Sequence, residues 1–102
     1  MLEAIAGSLN KTVERLHAVI NGDVQGVGFR YFVMRHAQAR GLRGWVRNRT
    51  DGGVELVAEG ARSDLDELLE AARQGPRHAR VVSVDARWSE AKGGLDRFDL
   101  SY

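Results

Sequence analysis

The chain has 102 residues and no cysteine, with 43% hydrophobic and 28% charged residues. This length suits one globular domain, and the lack of cysteine excludes a disulfide scaffold, a thiolate nucleophile and a metal site built on sulfur. The formal net charge of +1 does not favour binding to nucleic acid, and no apolar run approaches the roughly 20 residues of a membrane-spanning helix. Because the N-terminus also lacks the pattern of a secretory signal, we expect a cytoplasmic protein with neither a nucleic-acid nor a membrane partner.

The first residues carry apolar side chains at helical spacing, namely Leu2, Ile5, Ala6, Leu9, Val13 and Leu16. This spacing predicts an amphipathic extension over residues 1–15, followed by the domain proper over 16–102. The extension packs on the domain or pairs with another chain, and a leader without fixed structure is the alternative. We therefore expect a monomer in which only the extension is a candidate for self-association.

The sequence of the first half of the domain predicts a strand, a helix and then a pair of strands. A short β-branched run over 17–24 predicts a strand, and apolar residues at three- and four-residue steps then predict a helix from residue 29 that ends at Gly41. Strands follow over 42–48 and 54–59. An Asp-Gly dipeptide between them is a strong signal for a hairpin.

The second half predicts another helix and two strands. Ser63 is predicted to cap the helix, with acidic residues in the first turn, and Gly75 ends it. Strands over 81–88 and 97–102 complete the chain. The order βαββαβ with an extra strand predicts an α+β, ferredoxin-like two-layer sandwich. Its antiparallel sheet carries two helices on one face and a short extra C-terminal strand.

The run over 22–30 lies where the first strand ends and the first helix begins. The free N–H groups of a helix's first turn can bind an anion. Gly26 and Gly28 permit conformations in which successive amides surround that anion, and the Arg30 guanidinium can hold it from the side. The aromatic residues here also imitate an RNA-recognition strand, but their helical periodicity and their place after the first strand argue for the core instead.

Asn48 is the second candidate, at the end of the second strand. Alternation places it on the same face as apolar Val46, where a polar side chain needs hydrogen-bond partners. Considered alone, it is a turn-former before the hairpin. Arg47 and Arg49 lie on the other face, where they solubilise the hairpin or steer an anionic substrate. The three histidines do not converge in the sequence, so no metal site is predicted.

Both stretches resemble the signatures of the acylphosphatase family. The pattern G-x-V-Q-G-V-x-F-R is complete in Gly22–Arg30. The second pattern is a glycine, an aromatic residue, a small apolar residue, a mostly basic residue and asparagine, followed by spaced glycines and a valine. It is complete in Gly44–Asn48, Gly52, Val54 and Gly60. The resemblance covers about Leu16 to Tyr102 and agrees with the predicted order of elements.

The resemblance implies hydrolysis of a small acyl phosphate to a carboxylate and inorganic phosphate, with no metal, no cofactor and no covalent intermediate. It also implies that Arg30 binds the phosphate and that Asn48 positions the attacking water. The implied phosphate cradle consists of the main-chain amides of Gln25, Gly26, Val27, Gly28, Phe29 and Arg30.

The sequence is also compatible with other functions. One is a catalytically silent acylphosphatase-like module that binds phosphate or a protein. Another is a detached counterpart of the acylphosphatase-like module of carbamoyl-transfer maturation factors. The presence of both Arg30 and Asn48 favours the enzyme. Asp23 places a negative charge where many relatives carry a basic residue, and it weakens substrate binding only if it faces the pocket.

Overall fold

The computed structural model describes residues 12–102. Its elements follow the order β1 (Val13–Asp23), α1 (Phe29–Ala39), β2 (Arg43–Asn48), β3 (Val54–Ala61), α2 (Arg62–Gln74), β4 (Arg80–Glu90) and β5 (Asp99–Leu100). This order confirms the predicted α+β, ferredoxin-like fold. None of the helices in the described part of the chain is long and apolar enough to cross a bilayer.

The strands form one sheet in the order β4-β1-β3-β2-β5. The four long strands pair antiparallel, as predicted, but β5 lies parallel to β2, with Trp45 opposite Asp99. The reason is the route of the chain, which leaves β4 at one edge of the sheet and crosses to the other edge before β5. The Glu59 carboxylate fixes this crossing by accepting hydrogen bonds from the backbone N–H groups of Lys92 (2.8 Å) and Gly93 (3.1 Å).

The core lies between the sheet and the two helices. Alternate residues of β1 and β3 face it, and each helix adds one apolar stripe. Its larger buried members are Leu16, Ile20, Phe29, Val33, Leu42, Val46, Val54, Leu56, Leu65, Leu68 and Phe98. Full burial of such a side chain contributes about 1.5–3 kcal/mol relative to leaving it exposed. Phe29 thus lies in the core, as its helical spacing indicates.

Several predicted boundaries differ from the structure. Val13 and the two residues after it begin β1 rather than ending a helix, because they pair with β3 and β4. Residues 1–11 of the predicted extension lie outside the described residues. Ser63 does not cap α2, since β3 runs directly into a helix that begins at Arg62, with Ala61 at the cap position. The closing strand spans only two residues of the predicted 97–102.

The topology sets two loops side by side at one end of the sheet. β1 and β2 run in the same direction, because each pairs antiparallel with β3, which lies between them. The loop 24–28 follows β1 and the turn 49–53 follows β2. The two loops therefore meet although their strands do not pair.

Candidate active site

The loop between β1 and α1 contains two glycines with positive φ and leads directly into the helix. Gly26 (φ 75°) and Gly28 (φ 78°) both adopt the left-handed conformation, which residues with a side chain rarely adopt. Gly28 occupies the N-cap position of α1 without a side-chain cap, and the first turn contains no acidic residue. The N–H groups at the start of this helix are therefore available to an anion, and the helix dipole favours negative charge there.

A cavity of about 120 Å³ lies between this loop and the end of β2. This volume is several times the roughly 10–15 Å³ that one water molecule requires, which leaves room for a small anion. Its lining residues are Val24, Gly26, Gly28, Phe29, Arg30, Tyr31 and Asn48. The structure thus brings Arg30 of α1 and Asn48 of β2 to the same cavity, although 17 residues lie between them in the sequence.

The predicted cradle residues divide into two groups. Gly26, Gly28, Phe29 and Arg30 line the cavity. Gln25 and Val27 are not among its lining residues, and the Val27 side chain packs against the core instead.

Arg30 carries the positive charge of the cavity. The centre of its guanidinium lies 5.2 Å from the centroid of the Tyr102 ring, a cation–π arrangement. No ion pair joins Arg30 to a carboxylate within residues 12–102. Its charge is therefore not neutralised by a carboxylate of the described chain, which suits it to bind an anionic ligand.

Asn48 ends β2 opposite Val54. Val46, two residues earlier, is fully buried on the helix side of the sheet, so the alternation places Asn48 on that side as well. The Asn48 side chain is exposed at the strand end. Its carboxamide can therefore both donate to and accept from a water molecule in the cavity.

Arg47 and Arg49 are paired with carboxylates. Arg47 donates to Glu55 at 3.0 Å through Nε, and Arg49 donates to Asp51 at 2.9 Å through Nη2. The hydrogen bond from Arg49 holds the pKa of the Asp51 carboxyl below its usual value, and the Gly53 N–H adds to this effect. Because these charges are compensated, the two arginines are weaker candidates than Arg30 for binding an anion.

A second cavity adjoins the first at Asn48. It has a volume of about 360 Å³ and is lined by Arg47, Asn48, Arg49, Thr50, Glu55 and Tyr102. Glu55 is only 8% exposed and accepts a hydrogen bond of 2.6 Å from His17 Nε2. That hydrogen bond lowers the pKa of the Glu55 carboxyl, with a further contribution from Arg47, against the opposing effect of burial. The carboxylate is therefore ionised near neutral pH and unsuited to act as a general acid.

Gln25 has a side-chain role that the sequence does not predict. Its Nε2 amide donates to the carbonyl oxygens of Arg49 (2.7 Å) and Gly53 (2.8 Å), in the turn after β2. The family resemblance implies a role only for the main-chain amide of Gln25. The side-chain partners lie 24 and 28 residues away, beyond the reach of any local pattern.

The remaining sequence candidates lie apart from the cavity. Asp23 is exposed at the end of β1, where it pairs with Arg80 across the ladder, and it is not among the lining residues. Solvent screening therefore limits its effect on an anion in the cavity. Within residues 12–102 no group of three or more His, Asp or Glu side chains is arranged to hold a metal ion.

Comparisons with known proteins show the acylphosphatase family. The acylphosphatase family model matches residues 16–100. The acylphosphatase of Deinococcus radiodurans is 51% identical over 79 residues, 78% of this chain and 91% of that protein. The acylphosphatase of Salinibacter ruber is 49% identical over 87 residues, 85% of this chain and 92% of that protein. The crystal structure of acylphosphatase from Bacillus subtilis matches with a TM-score of 0.84 at 40% identity, over 87% of this chain and 99% of that one.

Proposed function

The chain belongs to the acylphosphatase family, and from this premise we propose how it hydrolyses small acyl phosphates. Arg30 and the main-chain amides of residues 25–30 hold the phosphate, and Asn48 positions the attacking water. One observation carries the proposal. Side chains from two separate elements, Arg30 and Asn48, line the same small cavity beside the open amides of a helix N-terminus.

Binding of the phosphate rests on fixed positive groups. The guanidinium of Arg30 can take two phosphate oxygens at once, while the backbone amides of the loop point at the same group from a helix N-terminus. These donors are already in place before the reaction. They can therefore stabilise the negative charge that spreads over the equatorial oxygens in the transition state, without reorganisation.

The reaction needs no general acid. A carboxylic acid has a pKa near 4, so the carboxylate leaves readily with the electron pair of the broken P–O bond. The oxygen of the water molecule held by Asn48 forms the new bond to phosphorus, in line with the leaving group. Asn48 does not titrate and therefore orients the water without deprotonating it. The proton passes from the water to a phosphate oxygen, and the products are a carboxylate and inorganic phosphate.

No metal or cofactor takes part in the proposed reaction. Arg30 and the amides supply the positive charge that a divalent cation supplies in many other phosphoryl-transfer sites. The water is activated by position and by its closeness to the phosphate. We therefore expect hydrolysis to persist in excess chelator.

The test compares the hydrolysis of benzoyl phosphate by the wild type and by Arg30→Ala, Asn48→Ala and Arg35→Ala. Arg35 is the matched control, because it is an exposed arginine on the same helix. We expect Arg30→Ala to weaken the binding of inorganic phosphate and to lower kcat. Asn48→Ala should lower kcat by about 100-fold or more while phosphate still binds, and Arg35→Ala should resemble the wild type.

Two results would contradict the proposal. Full activity of Asn48→Ala would remove the water-positioning role. An inactive wild type that still binds inorganic phosphate through Arg30 would instead support the silent binding module.

A further inference from the structure

We propose that the side chain of Gln25 is a positioning residue that sets Asn48 against the phosphate cradle. The proposal rests on the function proposed above and assigns to it a side chain that contacts neither the phosphate nor the water. In the proposed function the main-chain amide of Gln25 contributes to the cradle, whereas its side chain donates hydrogen bonds to the turn beyond Asn48. One residue therefore joins the two halves of the site.

The sheet joins the two halves only indirectly, through Val54 of β3, which lies opposite Ile20 of β1 and Asn48 of β2. Arg30 stands at the start of α1, which follows β1, and Asn48 stands at the end of β2. β1 and β2 are separated by β3 and exchange no ladder hydrogen bonds. Within residues 12–102, the hydrogen bonds between loop 24–28 and turn 49–53 are the two that Gln25 donates.

The geometry uses the whole donor capacity of the Gln25 amide. A primary amide nitrogen carries two hydrogens, and here one partner is the carbonyl of Arg49 and the other that of Gly53. Arg49 directly follows Asn48 in the chain. Only one planar peptide unit and the two backbone dihedrals of Arg49 separate the Arg49 carbonyl from the Asn48 Cα, so a displacement of this carbonyl relative to Gln25 reaches Asn48 over a short path.

The turn retains its own structure without Gln25. The Arg49 carbonyl also accepts a hydrogen bond from the Gly52 N–H (3.2 Å), and the Gly53 carbonyl accepts one from the Arg49 N–H (2.8 Å). The Asp51 carboxylate accepts a further bond from the Gly53 N–H (3.0 Å). Loss of the Gln25 donors thus leaves neither carbonyl unpaired. The turn can then shift as a unit against the cradle while it keeps its own hydrogen bonds. A role of Gln25 in positioning can therefore be distinguished from a role in folding.

The decisive variant is Gln25→Met, which keeps the length of the side chain and removes both donors. Gln38→Met is the matched control. Gln38 lies near the other end of α1, and its Nε2 donates to the carbonyl of Phe98 at 2.8 Å. Both variants therefore lose a glutamine that bonds a distant backbone carbonyl, but only Gln25 lies at the site.

Four measurements are compared: kcat and KM for benzoyl phosphate, the inhibition constant of inorganic phosphate, the thermal midpoint, and the NMR resonances of Asn48 and residues 49–53. For Gln25→Met we expect kcat to fall by about 10- to 100-fold, as for a catalytic group displaced by about 1 Å. The phosphate inhibition constant should stay within about 3-fold, because the cradle amides and Arg30 are intact. The Asn48 side-chain resonances should shift. Gln38→Met should leave kcat, KM, the phosphate inhibition constant and the resonances of Asn48 and residues 49–53 at wild-type values and should change only the thermal midpoint.

A double-mutant cycle tests whether Gln25 acts through Asn48. If it does, Gln25→Met should have little further effect on kcat in the Asn48→Ala background, since the group that it positions is already gone. Full additivity of the two losses would overturn the inference. A parallel loss of phosphate affinity in Gln25→Met would also overturn it, because the side chain would then support the cradle itself.

The remaining outcomes separate this inference from the proposed function. If the wild type is inactive but the Asn48 resonances still shift in Gln25→Met, the proposed function is wrong and the connection between Gln25 and Asn48 is supported. If the wild type is active and Gln25→Met changes neither kcat nor the resonances, the inference about Gln25 is wrong and the proposed function is unaffected. If Gln25→Met does not fold, Gln25→Asn replaces it, because it keeps the amide but withdraws it by one methylene. Wild-type kcat in Gln25→Asn would then overturn the inference.

Discussion

Replacement of Gly28 by alanine should damage the phosphate cradle at a cost that the structure allows us to calculate. Gly28 has φ 78°, and a Cβ built there would meet nothing within 4 Å. The cost is therefore purely conformational, about 1–2 kcal/mol for an L-residue in the left-handed region. The loss of glycine's freedom in the unfolded chain offsets about 0.4–1 kcal/mol of this. The net loss in the free energy of unfolding should be about 1 kcal/mol.

Gly41 provides the matched control for this prediction. It has φ 66°, and a Cβ there would also meet nothing within 4 Å, but it lies after the other end of α1. Gly41→Ala and Gly28→Ala should therefore lower the thermal midpoint by similar amounts, about 4–8 °C per kcal/mol for a domain near this size. Only Gly28→Ala should weaken the binding of inorganic phosphate, because relaxation of the strained residue turns the amides of the loop away from the anion.

The assay is a pair of titrations with inorganic phosphate alongside thermal unfolding. We expect the phosphate affinity of Gly28→Ala to fall by about 10-fold, the equivalent of about 1.4 kcal/mol, and that of Gly41→Ala to be unchanged. Equal phosphate affinity in the two variants, with equal losses of stability, would refute the reasoning. The left-handed conformation of Gly28 would then serve the helix start and not the anion.

Three further predictions concern single side chains. Tyr102→Leu removes the aromatic ring beside Arg30. It should raise KM by about 2- to 5-fold, which corresponds to about 0.5–1 kcal/mol for an exposed cation–π contact. An unchanged KM would contradict a role of this contact in substrate binding. Glu55→Gln should reduce the unfolding free energy at neutral pH but not in acid. The pKa of Glu55 lies below its ordinary value of 4.5 in the folded state, so the stability that the carboxylate adds is lost as the pH falls through that folded value. A pH-independent difference between the two proteins in denaturant titrations would argue against the hydrogen bond from His17. Leu56→Ala should lower the unfolding free energy by about 2–5 kcal/mol, because Leu56 is fully buried in the central strand. A loss well below 1 kcal/mol in the same titrations would count against that burial.

The parts of the site that the sequence predicts depend on local chemistry. The glycines of the loop mark left-handed backbone, and they occupy that conformation at residues 26 and 28. Alternation from Val46 predicts the face on which Asn48 lies, and the fully buried Val46 agrees with it. The order βαββαβ then brings the loop and the strand end together, since it makes β1 and β2 run in the same direction.

The parts that the sequence does not predict depend on distant partners. The helical spacing of Val13 gives way to strand pairing on both sides of β1, an example of tertiary contacts that override local periodicity. The parallel pairing of β5 depends on the crossing that Glu59 holds. The side-chain bonds of Gln25 and the contact of Arg30 with Tyr102 likewise join segments that only the folded topology makes neighbours.

The most direct test of the proposed mechanism follows the oxygen atom of the attacking water. Hydrolysis of benzoyl phosphate is run in ¹⁸O-labelled water with excess chelator, and the products are analysed by mass spectrometry. If water held by Asn48 attacks phosphorus in the cradle, the label should appear in inorganic phosphate and not in benzoate, at a rate that the chelator does not change. Label in benzoate would show attack at the carbonyl carbon, and loss of activity in chelator would show that Arg30 and the amides do not suffice.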